Sequence, residues 1–325
     1  MQRRDILKTM GAGPLALAFP AARSQTFPER PIRIMLPYAA GSTVENALRE
    51  VAERFVINTG QPLVLEAKPG GAGIVAAMAV KAAAPDGYTL LANHTTMYTI
   101  NPHTRTNLPY DPDKDFRPVT NLLGASMVMA VNSSVPASTL AEFIKWAKAN
   151  PGKISFASFS AGNSSHFAGV ILNEQAGIDM LHVAYTGTPP AVTALLSNTV
   201  QVAFLPMIAV KPHMETGKVK LLAITTPKRS AHISDVPTFS ELGYPDLEIY
   251  IWAGLVAPFK TPDAIVNRLN QEFTKILVSK ELKDKWFVRD FEPLLGTPSQ
   301  FAAFYHSESK RWAHAVKLSG FKATD

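Results

Sequence analysis

Two short runs of small residues are the first features of this 325-residue sequence that could do chemistry. Tyr38-Ala39-Ala40-Gly41-Ser42 and Pro69-Gly70-Gly71-Ala72-Gly73 each follow a β-type run and precede a helical pattern. A loop at the carboxyl end of a parallel strand that opens a helix presents unpaired backbone amides and the positive end of the helix dipole. It can hold an anion without a charged side chain. Glycine suits such a loop because a missing Cβ lets an oxygen approach the amides and permits positive φ. Tyr38, Ala40, Gly41 and Ser42, with Gly71, Ala72 and Gly73, are therefore the first candidate ligand contacts.

Further loops have the same design. The run Thr89 to Ala92 ends on Asn93-His94-Thr95-Thr96, adding His94 and Thr95 as candidates. Ile154-Ser155-Phe156 leads to Ser158-Phe159-Ser160-Ala161-Gly162-Asn163-Ser164-Ser165-His166, a stretch dense in small donors that enters another helix. Ser160, Asn163, Ser164, Ser165 and His166 are its candidates. Leu181 to Ala184 opens onto Tyr185-Thr186-Gly187-Thr188-Pro189-Pro190, and Val200 to Phe204 opens onto Leu205-Pro206. These contribute Tyr185, Gly187, Thr188 and Leu205. One such loop is more commonly a plain turn; several in strand-to-helix context point to a crevice outside the strand ends, where open α/β folds bind ligands. Among the aromatics, Tyr38 and Tyr185 are the pocket candidates, while Phe167 on a helix and Trp252 on a strand pattern read as core.

Other chemistries fit less well. Ser160 follows a strand and precedes a helix, as a hydrolase nucleophile does, but the elbow motif needs glycine two residues earlier and Ser158 stands there. No third group orients a histidine for it. The eight histidines are scattered without ligand spacing, so no metal is expected. There is no cysteine, which excludes disulfides, thiolate sites and a lipid-anchored cysteine. The formal charge is +6, and Arg3, Arg4, Lys8 and Arg23 against Asp5 account for half of it. Without a dense basic run interleaved with aromatics, nucleic acid is a poor partner, and no later segment is long and apolar enough to span a bilayer.

The loops need elements to position them. β-rich runs alternate with helical patterns, the order expected of an α/β fold with crossover helices. Pro31 to Pro37 reads as a strand, and Val44, Ala47, Leu48, Val51 and Phe55 recur at helical spacing behind it. Ser42 with Glu45, Thr139 to Glu142 and Thr297-Pro298-Ser299 mark helix starts, the first as a capping box. The carboxyl-terminal helices are expected to pack mostly on the first unit. At the other end, Arg3-Arg4-Asp5-Ile6-Leu7-Lys8 followed by a mildly apolar run to Ala22 reads as a removable twin-arginine export signal, with cleavage near Ser24. About 300 residues remain, enough for two domains with their own cores.

The chain resembles one family from about Phe27 to its end: the periplasmic substrate-binding proteins of tripartite tricarboxylate transporters, also called Bug proteins. The resemblance is carried by Arg30-Pro31-Ile32-Arg33, Pro37-Tyr38-Ala39-Ala40-Gly41, Lys68-Pro69-Gly70, Asp86-Gly87-Tyr88-Thr89-Leu90-Leu91 and Leu108-Pro109-Tyr110-Asp111-Pro112 with Lys114-Asp115-Phe116. Ser164-Ser165-His166, His182-Val183-Ala184-Tyr185, Leu195-Leu196, Asp235-Val236-Pro237-Thr238 and Trp252-Ala253-Gly254-Leu255 continue it. It implies a two-lobed α/β clamshell, each lobe a mixed, mostly parallel sheet flanked by helices and joined by a two-strand hinge. Residues 1–24 would be the signal, 25–123 and 251–325 lobe one, and 124–250 lobe two. The first two loops would hold one carboxylate of a small organic ligand through backbone amides and waters, and lobe-two loops the rest.

The implied protein is a monomeric periplasmic receptor without cofactor or enzymatic activity that delivers its ligand to a membrane transporter. A sensor feeding a membrane signalling partner, and less so a serine hydrolase at Ser160, are the alternatives. The family's usual aspartate after the first loop is Glu45 here, its second glycine is Ser42, and Ile74 replaces an asparagine after the second loop. Leu205 stands where an aspartate is usual, which removes a partner for a ligand ammonium and argues against an amino acid.

Overall fold

The computed structural model describes residues 27–38 and 42–322. The export signal and its cleavage point lie outside the described residues, as do Ala40 and Gly41 of the first loop. The chain begins with strand β1 (Ile32–Leu36), helix α1 (Thr43–Thr59), β2 (Leu63–Ala67), α2 (Ile74–Lys81) and β3 (Thr89–His94). Two short helices, α3 (Asn101–Thr104) and α4 (Pro112–Asp115), lead into β4 (Phe116–Ala125). The local chemistry explains the boundaries. Ser42 Oγ accepts from Glu45 N at 3.3 Å to start α1, and Gly60 in the left-handed region stops it.

A second unit repeats the design: β5 (Met127–Asn132), α5 (Leu140–Lys148), β6 (Ile154–Ser158), α6 (Ser164–Ala176), β7 (Met180–Ala184), α7 (Thr188–Leu196), β8 (Val202–Pro206), α8 (Met207–Glu215) and β9 (Val219–Ile224). The chain then returns through β10 (Ile251–Pro258), α9 (Asp263–Leu277), α10 (Lys280–Val288), β11 (Phe291–Pro293) and α11 (Pro298–Leu318). Full capping boxes start α5, from Thr139 and Glu142, and α11, from Thr297 and Gln300.

Two sheets result, ordered β11-β4-β10-β3-β1-β2 and β7-β6-β8-β5-β9. In the first, β1 pairs in parallel with β2 and β3, while β10 runs antiparallel to both β3 and β4. In the second, β6 pairs in parallel with β7 and β8, while β5 runs antiparallel to β8 and β9. Each lobe is thus a mixed sheet: β10 and the short edge strand β11 are reversed in the first, and β5 alone is reversed in the second. The sheets are flanked by helices on both faces, and four apolar clusters fill the spaces between.

Near the hinge, Thr225 Oγ1 donates to the carbonyls of Met127 and Ile249, and Trp252 N donates to Thr95 Oγ1, so hydroxyls pin the crossing strands. Gly254 lies under α11: a Cβ there would meet the Phe301 ring at 2.4 Å, which is why the Trp-Ala-Gly-Leu run carries glycine at this place.

One feature differs from the sequence expectations and another goes beyond them. β3 runs on through Asn93 and His94, because Ala253 and Gly254 of β10 pair with them; the loop expected there opens only at Thr95 and continues as a π-helical turn, Thr96–Ile100. Second, α11 packs mostly on lobe one, as expected, but its far end reaches lobe two. Phe301 and Tyr305 pack in lobe one, but Trp312 and Val316 belong to the core of lobe two, and Phe321 stacks edge-on against Phe167 at 5.4 Å. The apolar spacing of the helix was readable, but its length of 21 residues, about 30 Å, carries the same face from one core to the next.

Candidate functional site

The parallel register sets Leu36 opposite Ala67, so the turns after β1 and β2 rise from the same end of the first sheet. Lys68 N donates to Leu36 O at 2.7 Å and locks them together. The second turn is unusual. Gly70, Gly71, Ala72 and Gly73 have φ of 131°, 55°, 52° and 97°, four consecutive residues on the positive side. Only glycine adopts such values freely, and Ala72 does so against its Cβ.

Within this turn Gly73 N donates to Gly70 O at 3.0 Å and Ile74 N to Gly71 O. The amides of Gly71 and Ala72 have no protein acceptor among the described residues. Successive amides in a tight turn can converge into an anion-binding concavity. The turn rests on the π-helical segment: a Cβ on Gly73 would meet Met97 Sδ at 2.8 Å, and Asn101 Nδ2 donates to Ala72 O at 3.1 Å.

Tyr38 leaves β1 half-buried with its ring 4.9 Å from that of His94. Burial pushes His94 down to about 4 and the Tyr38 phenol up, so both are neutral at pH 7 and offer hydrogen bonds without charge. Ser42 opens α1, and buried Glu45 in its first turn is paired with Arg49. Thr95 is buried and its hydroxyl takes the Trp252 amide.

In lobe two, the turns after β6 and β7 are also tied together, by Tyr185 N to Ser158 O at 2.9 Å and Gly187 N to Phe159 O at 3.0 Å. Here the small polar side chains are largely engaged with the loop itself. Asn163 Oδ1 caps α6 by accepting from His166 N at 3.1 Å and also takes Ser165 Oγ at 2.9 Å. Ser165 Oγ accepts from Phe159 N, and His166 Nδ1 accepts from Gly162 N at 3.1 Å. Neutral His166 therefore carries its proton on Nε2. Its ring stacks on His182 at 3.7 Å, and His182 Nε2 meets Ser158 Oγ at 2.7 Å. Burial pushes both rings down to about 4, and for His166 the neighbouring His182 adds to it.

Ser160 is exposed and donates to Ala161 O at 3.3 Å. Among the described residues no histidine bonds to it, and the one serine–histidine contact of the loop belongs to buried Ser158. Thr188 opens α7 after Gly187, and Pro189 and Pro190 bring no amide protons to that turn. Ser164 is buried at the start of α6, and Leu205 is buried in the core of lobe two. The described residues hold no cluster of three or more metal-ligating side chains.

Sequence reasoning did not single out Asn101, Met97, Tyr110 or His182 as parts of this region. Tyr110 and His182 sat in the motifs of the family resemblance, the one signal that pointed at them. A separate groove of about 860 Å³, lined by Ser126, Ser230, Tyr250 and Asp290 among others, lies at the β9 and β11 edges. Those are the edges opposite β2 and β7, away from the turns just described.

Residues 47–321 match the model of the tripartite tricarboxylate transporter family receptor. A Cupriavidus necator protein of the UPF0065 group is 36% identical over 327 residues, covering 98% of both chains. Among solved structures, R. palustris Rpa4515 with adipate is 28% identical with a TM-score of 0.85, covering 92% of this chain and 100% of that one. MatC from Rhodopseudomonas palustris with bound malate is 29% identical with a TM-score of 0.79, covering 89% and 100%. Sheet order, turn geometry and these matches agree, and the chain belongs to the tripartite tricarboxylate transporter receptor family, a family of periplasmic substrate-binding proteins with the two-lobed clamshell fold.

Proposed function

We propose that this receptor captures a small dicarboxylate between its lobes and delivers it to the membrane subunits of a tripartite transporter. The reading is supported above all by the Gly70–Gly73 turn, whose Gly71 and Ala72 amides are directed by four positive φ values and left without a protein acceptor among the described residues. One ligand carboxylate rests there and on the turn from Tyr38 to Ser42. The far carboxylate meets lobe two at the exposed or half-buried groups of its turns, Ser160, His166, Tyr185, Gly187 and Thr188. The adipate and malate bound by the two relatives motivate the dicarboxylate class. With Leu205 in the core of lobe two, an amino acid ligand lacks a carboxylate there for its ammonium.

In this reading the protein is a monomeric receptor and not an enzyme, reaches the periplasm by the twin-arginine route, and closes about the β4–β5 and β9–β10 crossings. A thermal-shift and calorimetric panel of adipate, malate, citrate, benzoate and glutamate tests the binding. A ligand at 100 times its Kd stabilises by about 2.7 kcal/mol. A dicarboxylate is expected to give the largest shift; no shift with any acid, or a shift with glutamate alone, would overturn the assignment. Replacing Arg3 and Arg4 by lysines is expected to stop export, read by fractionation.

A further inference from the structure

Ala72 is the one non-glycine residue in a turn where every neighbour with positive φ is glycine, so something outside the turn must hold it. Asn101 does so from 29 residues away. Its side chain is buried, and Nδ2 donates at 3.1 Å to both Ala72 O and Tyr110 Oη. Tyr110 Oη in turn donates to Met97 O at 2.5 Å. The direction of this chain is forced. A carbonyl oxygen only accepts, so the amide nitrogen of Asn101 must face Ala72; the phenol has one proton, given to Met97, so it must accept from Asn101. Burial pushes the phenol above its usual range, so the proton stays in place. Met97 closes the frame by packing its sulfur where a Gly73 Cβ would be.

From this geometry we infer that Asn101 and Tyr110 are positioning residues for the carboxylate site: together with the Gly73–Gly70 bond they hold the Ala72–Gly73 peptide, and so keep Ala72 in the left-handed conformation that leaves the Gly71 and Ala72 amides available to an anion. The inference rests on the amide cradle proposed above. The electrostatic reason is direct. If the peptide after Ala72 flipped, its carbonyl dipole would turn toward the ligand carboxylate, and an attractive site would become a repulsive one. Asn101 makes the unflipped state the bonded one.

The test compares Asn101→Ala, Tyr110→Phe and Gly71→Val in the full mature chain, with adipate and malate as titrants. Asn101→Ala is expected to weaken binding tenfold or more and Tyr110→Phe about threefold. Adding Ala72→Gly to Asn101→Ala should recover part of the affinity without recovering Tm, because glycine takes φ near 50° unaided. A purely structural role predicts no such rescue. The ligand-free readout is the Ala72 HN–Hα coupling and Cα shift, which report φ directly and are expected to leave the left-handed range in Asn101→Ala. An unchanged Ala72 and Gly73 backbone, or wild-type affinity in Asn101→Ala while Gly71→Val abolishes binding, overturns the positioning role alone. Normal binding by Gly71→Val overturns the cradle itself. Should Asn101→Ala fail to fold, Tyr110→Phe with and without Ala72→Gly asks the same question.

Discussion

The turn after β2 and the turn after β6 are built from the same kinds of small residue, yet they commit their hydrogen-bond donors in opposite ways. In lobe one the backbone of Gly70–Gly73 takes positive φ so that two amides stay unclaimed among the described residues, and beyond the turn's own Gly73–Gly70 and Ile74–Gly71 bonds its support comes from Asn101 and Met97 outside the turn. In lobe two the side chains of Asn163 and Ser165, and Nδ1 of His166, are engaged in holding the loop that carries them. In the proposed reading the first is a general anion socket with external support; the second is a self-supporting loop with few groups left over. Affinity for the carboxylate class should therefore reside in lobe one, and discrimination among carboxylates in the residual contacts of lobe two.

The sharpest way to break this contrast is Gly71→Val. It puts a branched Cβ on a residue at φ 55°, with Ile74 Cβ already 3.2 Å from the nearest possible Cβ position. Binding of every acid in the panel should weaken at least tenfold, about 1.4 kcal/mol, by calorimetry. Ser160→Ala or Tyr185→Phe in lobe two should instead change the ranking of acids while altering the best Kd only a few-fold. If Gly71→Val alters ranking and Ser160→Ala lowers affinity uniformly, the roles of the lobes are reversed.

Next in size is Asn163→Ala. It removes the α6 cap and the acceptor for Ser165, and is expected to cost about 1 kcal/mol of stability, seen as a lower Tm, with a several-fold loss of affinity. Stability and affinity should fall together there because support and contact share one loop. In lobe one, where support is external, Asn101→Ala with Ala72→Gly should separate them.

The contrast explains what was legible in the sequence. Helix starts were, because caps are local: Thr139 with Glu142 needs only a spacing of three. So were the turns, since glycine clusters between a strand and a helix have few other uses. What local sequence could not reveal is which donors are already taken. Ser165 and Asn163 look like ligand groups until the loop folds back on them, and Asn101, in a proline-rich connection, looks like nothing until the fold sets it behind Ala72. The reach of α11 into lobe two was hidden for a related reason: an amphipathic face states that it is buried, not against what.

The stacked histidines offer a smaller, pH-dependent test of lobe two. His166 and His182 each titrate near 4 in the fold, through burial and, for His166, through its partner, against about 6.5 when unfolded. The rings around them belong to Phe156, Phe167 and Phe321, which offer no compensating charge. Between pH 6.5 and 4 the unfolded chain binds more protons than the folded one, so stability rises with pH across that window and is lost as pH falls through it. Tm should drop from pH 7 to pH 5 in the wild type, and less so in His182→Gln. An identical slope in both would mean that the pair is already solvated or charged.

The smallest expected effect concerns Lys68, a basic side chain beside the second lobe-one turn, and it sharpens the claim that backbone amides suffice. Lys68 follows β2, and its charge is felt at Glu66, whose carboxyl is held below its usual range first by Arg33 and to a lesser degree by Lys68. Its attraction is thus directed at least partly along the strand. A half-buried ammonium several ångströms from a carboxylate contributes little through water, and salt screens it further. The amides need no such help, since hydrogen bonds to an ionised acceptor are stronger than neutral ones and the α2 dipole adds about 0.3–1 kcal/mol when exposed. Lys68→Ala should therefore leave Kd within about threefold of wild type, under 0.7 kcal/mol, with a weaker salt dependence as the only other change. Loss of binding in Lys68→Ala, with Gly71→Val still binding normally, would mean that a side-chain cation holds the ligand and that the left-handed turn serves only the fold.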